Sequence, residues 1–168
     1  MNNFIESFER TEFSDRLQGV LGRSLIIATR FDKMCTNLCK AIKISSILLK
    51  EGNTEKTYEK MNEFFKKHMN LNSSINFFML PKDILSVLLN AKDARNEIVH
   101  SLPNAIIIGE DSTDEVSFIE ETKKLVGDVV DGDIIISIFT CAYNKDPIPT
   151  KEFLDGYKDS VLSWVVEE

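Results

Sequence analysis

Three side chains within six residues have the types and spacing to act on a phosphate: Arg95, Asn96 and His100, in the stretch Ala-Lys-Asp-Ala-Arg-Asn-Glu-Ile-Val-His-Ser-Leu from Ala91 to Leu102. An arginine offers a fixed cation with forked donors, an amide a neutral hydrogen bond, and an imidazole a proton carrier near neutrality. On a helix turning about 100° per residue, Asn96 and His100 lie one turn apart on one face. Arg95 sits about 140° round from His100, a gap that a long guanidinium arm can close. The three groups can then converge on one point outside the helix. The same residues on an amphipathic helix can also be a surface charge and a satisfied imidazole, so the rest of the chain has to decide.

Helices must position them. Ile84, Val87, Leu88, Ala91, Ile98, Val99 and Leu102 form the apolar stripe of the helix carrying the triplet. Arg95 interrupts that stripe, and such a breach of pattern is where function is expected. Pro81 suits the first helical position, and Pro103 is expected to stop or kink the helix just beyond His100. Before it, Leu17, Leu21, Ala28, Phe31, Cys35, Leu38, Ile42 and Leu49 mark one face of a long helix from Ser14 to about Lys50. Gly19 and Gly22 suit a bend or a close helix contact in it, and Gly52 ends it. Residues 54–69 make a second amphipathic segment with Tyr58, Met61, Phe64, Phe65 and Met69. His68, at its end, is read as favouring the helix dipole. Residues 70–74 read as a turn-rich break, 75–80 as an apolar approach segment, and 105–109 as a short apolar run of open state.

Further on, Ser112-Thr-Asp-Glu115 is a capping box opening a helix with Val116, Ile119, Val126, Val129 and Val130. Gly132-Asp133 is expected to interrupt it before an apolar helix from Ile134 to Tyr143. A loop follows from Asn144 to Pro149, and Thr150 caps a last helix with Phe153, Leu154, Tyr157, Val161, Trp164 and Val165. Periodicity therefore predicts an all-α bundle of about five to seven helices, one domain over residues 1–168.

Composition bounds the function. The 168 residues are 43% apolar with seven Gly and four Pro, enough for a core of long elements. No apolar run approaches the ~20 residues of a membrane span, and the polar N-terminus does not read as a signal peptide, so a cytoplasmic protein is expected. Three cysteines make no disulfide framework; Cys35 and Cys39, one turn apart, read as core thiols. No ligand cluster for a metal and no cofactor motif is present. The net charge of −7 argues against general nucleic-acid binding. Its distribution is uneven: residues 1–104 hold 15 Lys+Arg and 12 Asp+Glu (+3), residues 105–168 hold 5 and 15 (−10). A polyanion would meet the first part. Arg23, Arg30, Lys40 and Lys43 of the long helix are the candidate RNA-binding residues.

Ala-Arg-Asn-Glu-Ile-Val-His resembles the Arg, Asn, three residues, His signature of HEPN domains. Leu-Gly-Arg-Ser-Leu-Ile-Ile-Ala-Thr-Arg-Phe-Asp, from Leu21, is similar to the opening core helix of some bacterial members. The closing Pro-Ile-Pro-Thr-Lys-Glu-Phe-Leu-Asp-Gly-Tyr with its Trp-containing helix is similar too. The resemblance implies an antiparallel bundle that dimerises, with Arg95 and His100 of both chains lining a cleft on the two-fold axis. It implies a metal-independent endoribonuclease, leaving 2′,3′-cyclic phosphate and 5′-hydroxyl ends, in phage defence or a toxin–antitoxin pair. His100 would be the proton carrier, Arg95 the transition-state cation, and Asn96 the orienting group. RNA, a second copy of the chain, and an antitoxin or other defence protein would be its partners. Asp93 and Glu97 are candidates to compensate the facing arginines. Members silenced by nucleotide transfer carry Tyr two residues after the His; Leu102 stands there, which removes that control route at this position. The alternative is a non-catalytic dimeric module that binds a protein or nucleotide.

Overall fold

The computed structural model describes residues 11–66, 69–109 and 114–167. Among them are six helices and no strand: α1 (Glu12–Glu51), α2 (Glu55–Lys66), α3 (Leu71–Phe77), α4 (Lys82–Gly109), α5 (Glu115–Asn144) and α6 (Lys151–Val166). The protein is an all-α bundle. Nothing among the described residues is long and apolar enough to cross a membrane.

Local chemistry sets the ends of α1. Thr11 and Ser14 exchange side-chain-to-backbone bonds at its start, satisfying two otherwise orphaned N–H groups. At its end Gly52 takes φ +71°, and its N–H donates to the Leu48 carbonyl. Between them Leu17, Val20, Ile27, Ala28, Phe31, Cys35 and Leu38 are buried along one stripe. Against that stripe lie Leu88, Ala91, Ala94, Ile98 and Leu102 of α4, and Phe118, Val126, Val129, Val130 and Ile136 of α5. Each of the larger side chains contributes about 1.5–3 kcal/mol by leaving water.

Two expected interruptions are absent. Gly132-Asp133 does not break α5, which runs unbroken through both residues. Gly132 is there for close approach: a Cβ on it would sit 2.5 Å from the Ala91 Cβ and 2.9 Å from Phe31 Cε2. Pro103 does not stop α4, which continues to Gly109. Only one ladder bond is lost to a proline, and burial of Leu102 and Ile98 holds the turn. The Asn104 side-chain amide donates to the His100 carbonyl at 2.8 Å in that same turn.

Other boundaries differ from the sequence reading. Residues 71–77 form α3, taking in most of the expected break at 70–74 and the start of the apolar segment: Asn70 caps it, accepting from the Ser73 N–H at 2.8 Å, and Leu71 and Ile75 are buried. Pro81 precedes α4, its carbonyl accepting the Leu85 N–H. Asp114 caps α5, its carboxylate accepting from the Val116 and Ser117 N–H groups; Ser112, the expected start of the capping box, lies outside the described residues. Hydrogen bonds, led by the Ser117 hydroxyl, hold the Asp114 carboxyl below the usual range. The loop after Asn144 and the Thr150 cap of α6 are as read. α2 buries only Thr57 and leaves Tyr58 and Phe65 exposed. His68 lies outside the described residues.

Candidate functional site

Arg95 follows the buried Ala94 on α4 and lies in the groove between α4 and α1. One terminal nitrogen donates to Asp32 Oδ2 at 2.7 Å, and the other to Asn96 Oδ1 at 3.1 Å. Its Nε is enclosed and has no hydrogen-bond partner. The Arg95 and Asp32 side chains are 24% and 25% exposed, so the pair is shielded on most sides yet reachable from solvent. A forked cation held at two points presents its remaining donors in a fixed direction.

Those donors line a cleft of about 480 Å³. Its first wall is α1, with Asp32, Lys33, Thr36 and Lys40; its second is α4, with Lys92, Arg95 and Asn96. The segment entering α3 closes it with Met69, Asn70, Leu71 and Asn72. Positions 33, 36 and 40 share one face of a helix, as do 92, 95 and 96, so two helix faces look into the same space. Lys40 Nζ donates to the Phe65 carbonyl at 3.1 Å and stands 5.9 Å from that ring's centroid. Lys92 meets Asp93 at 3.0 Å.

Of the triplet read from sequence, the fold brings Arg95 and Asn96 together. His100 is not with them: it is exposed, one turn beyond Asn96, outside the cleft lining. The carboxylate that compensates Arg95 is Asp32, from 63 residues upstream, and not Asp93 or Glu97. Asp93 serves Lys92, and Glu97 is exposed.

The four α1 cations do not form one patch. Twenty residues separate Arg23 from Lys43, about 30 Å of helix. Arg23 donates to the Val165 carbonyl at 2.9 Å and to the Glu167 carbonyl at 2.7 Å, tying down the end of α6. Arg30 Nε donates to Asp133 Oδ2 at 3.1 Å. Lys43 is exposed, and Lys40 alone of the four lines the cleft.

Asp133 forms a second polar centre that the sequence reading missed. Its side chain is wholly buried, and Oδ2 also accepts from the Tyr157 hydroxyl at 2.9 Å. Oδ1 is enclosed without a partner. One carboxylate thus joins α1, α5 and α6. Burial, and then the Asp133 charge, pushes the Tyr157 phenol up. Burial, and then the Asp32 charge, pushes the Cys35 thiol far up, and burial raises Cys39 as well. Both cysteines are core thiols, free and buried.

The missed residues left weak signals. Asp133 stands between Val129-Val130 and Ile134-Ile135-Ile136, where an acid needs a buried partner. Lys33 and Lys40 are seven apart, and Lys92 and Asn96 four apart, the spacings of one helix face. Nothing local says that these faces meet. Among the described residues no group of three or more His, Cys, Asp or Glu is placed to hold a metal. The chain matches no family model, no curated protein and no solved structure.

Proposed function

We propose that the protein is an endoribonuclease of HEPN type, working as a homodimer without a metal cofactor. Cytoplasmic RNA is its substrate, and phage defence or a toxin–antitoxin pair its setting. The observation that carries the reading is the Arg95 guanidinium, fixed by Asp32 and Asn96 on the wall of a cationic cleft with His100 one turn on. In this reading a ribose 2′-hydroxyl loses its proton to a base and attacks the adjacent phosphorus. The 5′-oxygen leaves with a proton from an acid, giving a 2′,3′-cyclic phosphate. Arg95 stabilises the charge that builds on the non-bridging oxygens. His100 supplies proton transfer near pH 7. A second copy brings a second His100, so that acid and base stand on opposite sides of the phosphodiester.

The position of His100 outside the cleft of its own chain favours a second reading, a dimeric module that binds a protein or nucleotide without turnover. One experiment separates them. Purified protein in EDTA is incubated with a 5′-labelled RNA, and products are examined for cyclic phosphate ends. Cleavage by the wild type, with His100→Ala slowed about 10²–10⁴-fold and Arg95→Ala slowed comparably, is expected. Equal cleavage by His100→Ala, or none by the wild type, moves the conclusion to the binding module. Light scattering on the eluting protein tests the dimer.

A further inference from the structure

Several cations of the bundle stand against acids: Arg16 with Glu115, Arg30 with Asp133, Lys60 with Glu51, Lys158 with Asp131. The cleft gathers cations in one place. Four cations, Lys33, Lys40, Lys92 and Arg95, line it beside one carboxylate, Asp32, in a chain of net charge −7. Among the described residues no carboxylate lies within ion-pair distance of Lys33 or Lys40. Asp32 is committed to Arg95, and Asp93 meets Lys92 from outside the lining.

The amides reinforce the bias. Asn96 Oδ1 accepts from Arg95, and Asn70 Oδ1 accepts from the Ser73 N–H. Each of these amide oxygens holds an internal donor, and both side chains keep N–H₂ donors. A lining with four cations and one carboxylate, itself bound to Arg95, favours an anion with several oxygens. The volume, about 480 Å³, falls in the range of small-ligand sites, ~300–1,000 Å³. That is adequate for one nucleotide.

We infer that the cleft between α1, α4 and the start of α3 binds the phosphate of a nucleotide unit through Lys33, Lys40, Lys92 and Arg95. The phosphate is either an internal phosphodiester of single-stranded RNA or a phosphomonoester, terminal or free. The inference deepens the ribonuclease reading by naming what grips the strand. It rests on that reading only in taking RNA as one source of the phosphate. The gripping set lies on two facing helices and leaves Arg23 and Arg30 to their structural bonds.

Full-length His100→Ala protein, in which a strand would stay intact, is titrated with a fluorescent eight-residue oligouridylate bearing a 5′-hydroxyl or a 5′-phosphate. Uridine 5′-monophosphate and inorganic phosphate serve as competitors. Lys33→Ala with Lys92→Ala is expected to weaken binding about tenfold or more, since charged hydrogen bonds are lost. The log–log salt slope for the strand should fall by up to about 0.7, the value for one single-strand phosphate. Lys123→Ala with Lys124→Ala, removing two exposed α5 cations, should leave both quantities unchanged. Equal binding of the two strands assigns the site to phosphodiesters. Tighter binding of the 5′-phosphate strand, with displacement by the monophosphate, assigns it to a phosphomonoester. Amine acetylation of the His100→Ala protein, read by mass spectrometry, needs no substitution in the cleft: whichever probe binds, strand or monophosphate, should protect Lys33 and Lys92 and not Lys123 or Lys124. Binding unaffected by the cleft substitutions, no binding of any probe, or no protection overturns the inference. Failure of the ribonuclease reading looks different, because cleavage is then absent while phosphate binding at the cleft persists.

Discussion

Placing a single methyl group at Gly132 tests the packing that holds the cleft together. Gly132 lies where α5 passes between Phe31 of α1 and Ala91 of α4, and an alanine Cβ there would lie 2.5 Å from the Ala91 Cβ. Carbon atoms pack best at about 3.5–4.0 Å, so the helices must separate by about 1 Å or tilt. Overpacking of this kind costs about 1–3 kcal/mol. Here it should fall near the upper end, because the Ala91 Cβ is fixed by its backbone and the Phe31 ring is fully buried. Alanine in a helix interior returns about 1 kcal/mol relative to glycine, leaving a net loss of about 1–2 kcal/mol. For a chain of this length each kcal/mol moves Tm by about 2–4 °C, so Gly132→Ala should melt about 2–8 °C below the wild type. Gly22→Ala is the control, since a Cβ at Gly22 meets nothing within 4 Å; it should melt slightly higher. Adding Ala91→Gly to Gly132→Ala should recover part of the loss, a coupling of about 0.5 kcal/mol or more in a double-mutant cycle. Calorimetry and urea unfolding both read these differences. Gly132→Ala melting at or above the wild type would refute the close-contact account. The neighbours of this contact, Asp32 after Phe31 and Lys92 after Ala91, line the cleft, so the same substitution should also weaken phosphate binding.

Asp133→Ala strands the Tyr157 hydroxyl and frees Arg30 to solvent, and should cost about 1–3 kcal/mol in urea unfolding. Asp133→Asn, which keeps an acceptor, should cost less, and equal losses would discount the hydrogen-bonded role. Thiol labelling of the native protein should reach half-buried Cys141 first and Cys35 and Cys39 only on unfolding; simultaneous labelling of all three would contradict their burial. Cys35, Cys39 and Tyr157 all have pKa values raised in the folded state. Their contribution is complete below the ordinary thiol and phenol values, 9.0 and 10.0. It is lost as pH rises past those values toward the raised folded ones, because the unfolded chain ionises first. The urea midpoint should therefore decline above about pH 9, and Cys35→Ala with Cys39→Ala should reduce that decline. A midpoint unchanged from pH 8 to pH 11 would exclude it.

The sequence by itself determined the helices, because what makes a helix is local. The apolar stripe of α1, the positive-φ glycine at its end and the Thr150 cap of α6 depend on residues within a turn or two of one another. The same locality explains the errors. Gly132 and Pro103 are helix-unfriendly by intrinsic preference, and only the packing around them, on Phe31 and Ala91 or through Ile98 and Leu102, keeps the helices running. Residues 70–74 read as a break until Leu71, with Ile75 beyond it, finds a core to bury into. The candidate site divides in the same way. Arg95, Asn96 and His100 were visible as a spacing on one helix. Which of them share a space was decided by the partners that reach in from α1 and from the start of α3. Asp32 meets Arg95 across 63 residues, and Asp133 claims Arg30 across 103. No periodicity records such pairings, because a charge on a helix face is written in the sequence while the face that meets it is chosen by the packing of the whole bundle.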